Sequence, residues 1–215
     1  LHHRVREWHT QLDVFEKICA ASREIVDPAT AFRDIDQLLD TADRLKRPVY
    51  IELPRDMVSV VPDQIRPYHA PRLESDKSAL GEAVKEAVAR IEQAKRPVII
   101  AGVELHRWGL QADVVALAEA SGIAIASTLL AKSVVSETHP LYIGLYEGAL
   151  GREEVTKFVE ESDCVILLGT LLTDLDLGIF TAKLDATKSI YATSDRSEEH
   201  TSELQSQFRI SYAVF

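Results

Sequence analysis

The chain has 215 residues, 46% hydrophobic and 27% charged, the balance of an ordinary globular protein with room for one large domain or two modest ones. A formal net charge of -10 and the lack of any basic stripe argue against nucleic acid as a partner, because phosphate contacts need clustered Lys and Arg. No apolar run nears the ~20 residues of a membrane-spanning helix, and the N-terminus lacks a basic-then-apolar signal pattern, so no membrane partner is expected.

Residues 13–25 put Val14, Ile18, Ala21 and Ile25 at helical spacing, which predicts a first helix. Asp27 and Pro28 then signal the start of a second, with Ile35, Leu38, Leu39, Ala42 and Leu45 on one face. Arg47-Pro48-Val49-Tyr50-Ile51-Glu52-Leu53-Pro54 is a short apolar run bounded by prolines, and it predicts a buried strand. Residues 55–75 show no period and carry Pro62, Pro67 and Pro71, the composition of a linker crossing the surface.

A second rhythm follows. Residues 78–95 predict a helix with Leu80, Val84, Val88 and Ile91 as its apolar stripe. Residues 97–103 form a nearly continuous apolar strand, as expected where helices cover both faces of a parallel sheet. Residues 110–121 predict an amphipathic helix closed by Gly122. Strands are predicted at 123–127, 164–169 and 189–192, with a short extended segment at 141–145. Residues 151–161 predict a helix whose first turn carries Glu153 and Glu154, favourable for its dipole. Alternating strands and helices of this length predict an α/β fold, a doubly wound parallel sheet. There is no internal repeat.

Cys19 and Cys164 lie in apolar runs at no metal spacing, and are expected to be buried, reduced thiols of a cytoplasmic protein. The first residue is Leu1 rather than Met, which fits a chain truncated at its start. At the other end the composition changes abruptly. Residues 196–206, from Arg196 to Ser206, are codon for codon the translation of a common short-read sequencing adapter. Residues 196–215 are therefore expected to be a non-native tail and are left out of the fold reasoning.

Ordered segments across residues 1–195 resemble one family. Leu1-His2-His3, then Val14-Phe15, then Asp27-Pro28-Ala29-Thr30-Ala31, then residues 47–54 are similar to the end of the pyrimidine-binding domain of the thiamine-diphosphate-dependent 2-oxo acid decarboxylases, those acting on pyruvate, indolepyruvate and phenylpyruvate. Arg96-Pro97-Val98 and Gly169-Thr170-Leu171-Leu172-Thr173-Asp174 resemble their central domain. The stretch after the histidines departs from the pyruvate decarboxylase pattern. Val5, Thr10, Gln11, Val14 and Phe15 look closer to the phenylpyruvate and indolepyruvate branch, which implies an aromatic 2-oxo acid as substrate.

The resemblance implies a division into residues 1–57, the C-terminal part of an α/β pyrimidine-binding domain; 58–75, a linker; and 76–195, a truncated central domain. It implies a parent lyase that releases CO2 and an aldehyde, a homodimer or homotetramer that uses thiamine diphosphate and Mg2+. The family binds the diphosphate through Mg2+ with a Gly-Asp-Gly segment and a later Asn, and activates the cofactor with a Glu. No Gly-Asp-Gly occurs here, so these ligands are expected outside the chain and the fragment alone is expected to be inactive. His2 and His3 are the catalytic candidates. In the family adjacent histidines at this place reach the bound 2-oxo acid, and imidazoles suit proton transfer near neutrality while the cofactor acts as the electron sink. The competing reading of the pair is a tag remnant or a plain polar loop.

Glu104, His106 and Arg107 follow a strand end, where open sheets bind ligands, but a solvated loop is the expected reading. Trp8 and Trp108 are expected in core or interface packing. Rival functions are a carboligase of the acetolactate synthase kind, a nucleotide-binding module and a purely structural central domain. A pyrophosphate cradle needs several glycines in the first strand-to-helix turn. Here Gly102 is followed by Val103, Glu104, Leu105, His106, Arg107 and Trp108, so neither FAD nor NAD is expected.

Overall fold

The computed structural model describes residues 7–71 and 76–194. The chain divides into two compact units, Leu1–Leu73 and Glu74–Phe215.

In the first unit, helix α1 (Thr10–Ile18) leads into strand β1 (Ser22–Glu24), then helix α2 (Ala31–Leu45) and strand β2 (Tyr50–Glu52). The single helix expected over 13–25 therefore ends at Ile18. Residues 22–24 pair instead with β2 in parallel, Ser22 opposite Tyr50 and Glu24 opposite Glu52. Flanking backbone bonds extend the pairing: Ala20 N–H donates to the Pro48 carbonyl at 2.9 Å and Ile25 N–H to the Glu52 carbonyl at 2.8 Å. The partner strand decides the outcome, because it satisfies backbone groups and buries Ile25 to 2% exposure, whereas Val14 and Ile18 stay exposed. Phe15 of α1 stacks on Tyr50 of β2 with ring centroids 4.2 Å apart. Before α2, the Asp27 carboxylate accepts the Ala29 N–H at 2.9 Å, the turn chemistry that places the helix start at Ala31. Leu38 is buried, while Leu39 and Leu45 on the expected face are exposed. Trp8, expected in packing, is 60% exposed. After a 3₁₀ turn at Arg55–Met57, no helix or strand occurs among the described residues before Lys77.

The second unit is a five-stranded parallel sheet with strand order β5-β4-β3-β6-β7. Its elements are α3 (Lys77–Gln93), β3 (Pro97–Ala101), α4 (Val103–Arg107), α5 (Gln111–Ser121), β4 (Ala124–Ser127), β5 (Tyr142–Leu145), α6 (Glu153–Glu160), β6 (Cys164–Leu168) and β7 (Ser189–Ala192). This is the α/β, doubly wound architecture that the alternating pattern predicts. The Asp76 carboxylate caps α3, accepting from Ser78 N–H at 2.8 Å and Ala79 N–H at 3.1 Å. Gly122, in the left-handed region at φ 69°, closes α5.

Alternate residues of the central strands feed two cores. Ile99, Ala101, Ile125 and Ile166 face one, with Val114 and Ala118 of α5 and Ala87 and Ile91 of α3. Val98, Ile100, Val165 and Leu167 face the other, with Tyr146 and with Val155 and Val159 of α6. The apolar stripe expected on α3 is displaced. Val84 and Val88 are exposed, while Ile91 packs on the core as expected and the inward line otherwise runs through Ala83, which is buried, and Ala87, which is partly buried. Small residues on that line let the helix backbone lie close to the sheet, and the bulkier valines are turned away. Among the described residues no helix is long and apolar enough to cross a membrane.

Candidate functional site

A sheet ordered β5-β4-β3-β6-β7 reverses direction between β3 and β6, and open sheets of this kind bind ligands beyond the carboxyl ends of those strands. The two strands pair in register along their length, from Pro97 opposite Cys164 to Ala101 opposite Leu168. Beyond the last pair, Gly102 N–H donates to the Leu168 carbonyl at 2.8 Å and Glu104 N–H to the Gly169 carbonyl at 3.1 Å. The two turns approach so closely that a Cβ on Gly102 would lie 2.0 Å from the Gly169 oxygen and 2.3 Å from the Thr170 Cα. The protein's own backbone thus fills the place where a pyrophosphate would meet this turn.

Glu104 closes the crevice from the other side. It is 8% exposed and lies in α4, so the solvated loop expected for it is corrected. Its carboxylate accepts the Thr193 hydroxyl at 2.9 Å, the Ser194 N–H at 2.9 Å and the Ser194 hydroxyl at 2.5 Å. A buried carboxylate needs such donors, and three charge-assisted bonds supply them. Neighbouring His106 and Arg107 are exposed, with His106 Nδ1 2.8 Å from Gln111 Nε2. Trp108 is half-buried.

The turn after β6 holds a second buried acid. Asp176, 1% exposed, accepts the Thr173 hydroxyl at 2.8 Å and the Thr173 N–H at 3.3 Å through Oδ2. Its Oδ1 and the Thr170 hydroxyl are buried with no hydrogen-bond partner among the described residues. The Thr170 carbonyl accepts the Tyr191 hydroxyl at 2.5 Å. Neither Glu104 nor Asp176 stands out in the sequence as buried. The donors to Glu104 lie 89 and 90 residues away, beyond the reach of any local pattern.

A cleft of about 550 Å³ lies beside α6, lined by Thr156, Lys157, Glu160, Thr181 and Lys183 among others. One of its acids already serves protein donors. Glu160 accepts the Lys183 N–H at 2.9 Å and the Tyr146 hydroxyl at 3.3 Å. Burial, then the Glu160 charge, pushes the Tyr146 phenol far above its usual range, so it stays a neutral donor.

His2 and His3 lie outside the described residues. Among the described residues no group of three or more His, Cys, Asp or Glu is placed to hold a metal ion. The carboxylate at the crevice, Glu104, is already committed to protein donors, and among the described residues Asp176 belongs to no group of three or more such ligands. The described residues therefore do not fit a diphosphate bound through Mg2+. Cys164 is buried as expected, while Cys19 is only half-buried.

Comparison with known proteins places this geometry. The family model described as thiamine pyrophosphate enzyme, central domain, matches residues 84–207. The chain is 35% identical over 192 residues to an indole-3-pyruvate decarboxylase of Azospirillum brasilense, covering 89% of this chain and 35% of that protein. It is 33% identical over 187 residues to pyruvate decarboxylase isozyme 2 of Saccharomyces cerevisiae, covering 84% of this chain and 33% of that protein. Pyruvate decarboxylase 2 of Nicotiana tabacum is 30% identical over 203 residues. The chain spans about a third of the length of the relatives it matches.

Proposed function

The chain belongs to the thiamine pyrophosphate enzymes, through their central domain, and from that membership we propose that it is part of a longer 2-oxo acid decarboxylase. The observation that carries the reading is the 35% identity to an indole-3-pyruvate decarboxylase over 89% of this chain. The match is long enough to include both units, so it does not rest on the sheet architecture, which alone would license no function. We take the substrate to be an aromatic 2-oxo acid, and the products to be CO2 and the aldehyde one carbon shorter.

Thiamine diphosphate supplies the electron sink for this chemistry when bound. Its ligands and those of Mg2+ lie in parts of the parent outside this chain, in keeping with the poor fit of the described residues. His2 and His3 serve as proton-transfer groups at the bound 2-oxo acid. We assign residues 1–57 to the end of the pyrimidine-binding domain, 58–75 to the linker, 76–195 to the central domain and 196–215 to a non-native tail. The parent is a cytoplasmic homodimer or homotetramer. It uses neither FAD nor NAD, a reading supported by the Gly169 carbonyl on the Glu104 N–H.

The test is the full-length gene. Its product, supplied with thiamine diphosphate and Mg2+, should release aldehyde from indolepyruvate or phenylpyruvate faster than from pyruvate. Phe in place of His2 or His3 should cut that rate by at least tenfold. Acetohydroxy acids as products, or bound flavin, would mark a carboligase instead. A gene that continues past Ser194 with the same residues 196–215 would remove the non-native assignment of the tail.

A further inference from the structure

Strand β5 is entered through a histidine that is engaged at both ring nitrogens. His139 Nδ1 accepts the Leu141 N–H at 3.2 Å, and Nε2 lies 3.3 Å from Glu119 Oε1 on α5. The side chain is only 15% exposed. An amide N–H can only donate, so Nδ1 must present its lone pair and the ring proton must sit on Nε2, facing the carboxylate. One form of the ring satisfies both contacts, the neutral Nε2–H tautomer.

The sequence makes Leu141 depend on this contact. Pro140, between the two residues, has no N–H, so Leu141 carries the first amide after the histidine. The Leu141 carbonyl accepts the Ile125 N–H at 2.8 Å, the bond that opens the β4–β5 ladder at the Ile125–Tyr142 pair. Tyr142 N–H returns to the His139 carbonyl at 2.9 Å and closes the turn. Within the sheet β5 pairs on one side only, so this turn fixes where the strand begins. Leu141 and Tyr142 pack on the core, and the Tyr142 hydroxyl lies 2.9 Å from the buried Ser127 Oγ.

A second proton on the ring reverses one of the two contacts. Both nitrogens of an imidazolium donate, so an N–H would face the Leu141 N–H, and turning the ring over offers no escape. The charged groups around it are few. Glu119 approaches from α5, and Glu137 of the preceding loop is paired with Lys132 at 3.9 Å. β4 and β5 carry no charged residue, and their one titratable group is the Tyr142 phenol. Glu119 is 63% exposed, and an ion pair that open to water is weak. It also acts on Nε2, which keeps the ring where Nδ1 meets the amide. A partly buried amide deprived of its acceptor is the larger effect.

We propose that His139 is a proton-operated latch on edge strand β5. The neutral ring pins the Leu141 amide and the start of the strand, and protonation releases both. The latch is closed above the range in which imidazoles charge and opens as pH falls through it. Amide hydrogen exchange of the full-length protein, read by mass spectrometry, tests this, each rate being divided by the intrinsic chemical rate at the same pH. Between about pH 7.5 and 5.5, where imidazoles change charge, protection of Leu141 and β5 should fall about fivefold or more. Peptides covering 97–101 and 164–168 should keep theirs. His139→Asn should remove the difference, because its amide oxygen accepts the same N–H two residues on and does not titrate. Should that variant fail to fold, the parent's β5 profile against the two core peptides still decides. A flat profile in the parent, an equal loss in the 164–168 peptide, or an unchanged pH dependence in the asparagine variant would overturn the latch.

Discussion

Glu104 and Ser194 stand 90 residues apart in the chain and meet twice, the carboxylate accepting both the backbone N–H and the hydroxyl of Ser194. The contact joins the helix that follows the central strand to the end of the outermost strand of the sheet.

Glu104→Ala should therefore cost about 2–3 kcal/mol, the effect of removing a charged acceptor and leaving partly buried donors unpaired. Urea titration followed by far-ultraviolet circular dichroism measures it. Glu104→Gln should lose less, because the amide oxygen still accepts. Equal stability of the alanine variant and the parent would show that Thr193 and Ser194 contribute nothing to the fold.

Gly102→Ala should be worse, at about 3 kcal/mol or more, because the new methyl would lie 2.0 Å from a backbone oxygen that cannot rotate away. The measurable outcome is loss of soluble protein, or a large fall in the denaturation midpoint. Gly81, where a Cβ meets nothing within 4 Å, provides the control, and Gly81→Ala in the middle of α3 should be neutral or stabilising.

Asp163 joins the starts of β3 and β6, accepting from Lys95 N–H and Arg96 N–H, both at 2.8 Å. These two backbone donors hold its carboxyl below the ordinary 3.8. The folded chain then binds fewer protons than the unfolded chain, so the stabilisation is complete above 3.8 and is lost as pH falls through the depressed folded value. Asp163→Asn should lower the thermal midpoint at neutral pH and flatten its decline on acidification. Parallel acid limbs in the two proteins would refute this.

Cys164 should resist alkylation. Burial, and then the Asp163 charge, push its thiol above the usual value, and the thiolate is the reactive form. With iodoacetamide under native conditions, peptide mass spectrometry should find Cys19 modified well before Cys164. In denaturant the two should react alike.

The order of the strands and of helices α3, α5 and α6 in the second unit was legible because each carries its own period or apolar run, as 97–101 and 164–168 do, whereas the short helix α4 reads as a loop. The face of α3 was not. Pattern reading favours large aliphatic residues, whereas close packing on the sheet selects Ala83 and Ala87 and leaves Val84 and Val88 outside. Strand β1 escaped for a different reason. Ser22, Arg23 and Glu24 have no strand character of their own, and only the parallel pairing with Tyr50, Ile51 and Glu52 makes them one. The crevice is the clearest case. That Gly102 lacks a glycine-rich sequel was readable, but its closure by Gly169 and Glu104 depends on partners 65 and more residues away.

The central place of β3 also bears on how the polypeptide comes to be folded as it is made. β3 pairs with β4 on one side and waits for β6 on the other, whose residues lie 67 further along the chain, as Val165 does from Val98. During synthesis this central, buried strand must keep one ladder of backbone groups unpaired until that stretch has emerged. Non-local closures of this kind are slow and leave an edge open to wrong partners. Ribosome pausing or chaperone engagement while residues 102–163 are being made would therefore have more influence on yield than the same event after β6.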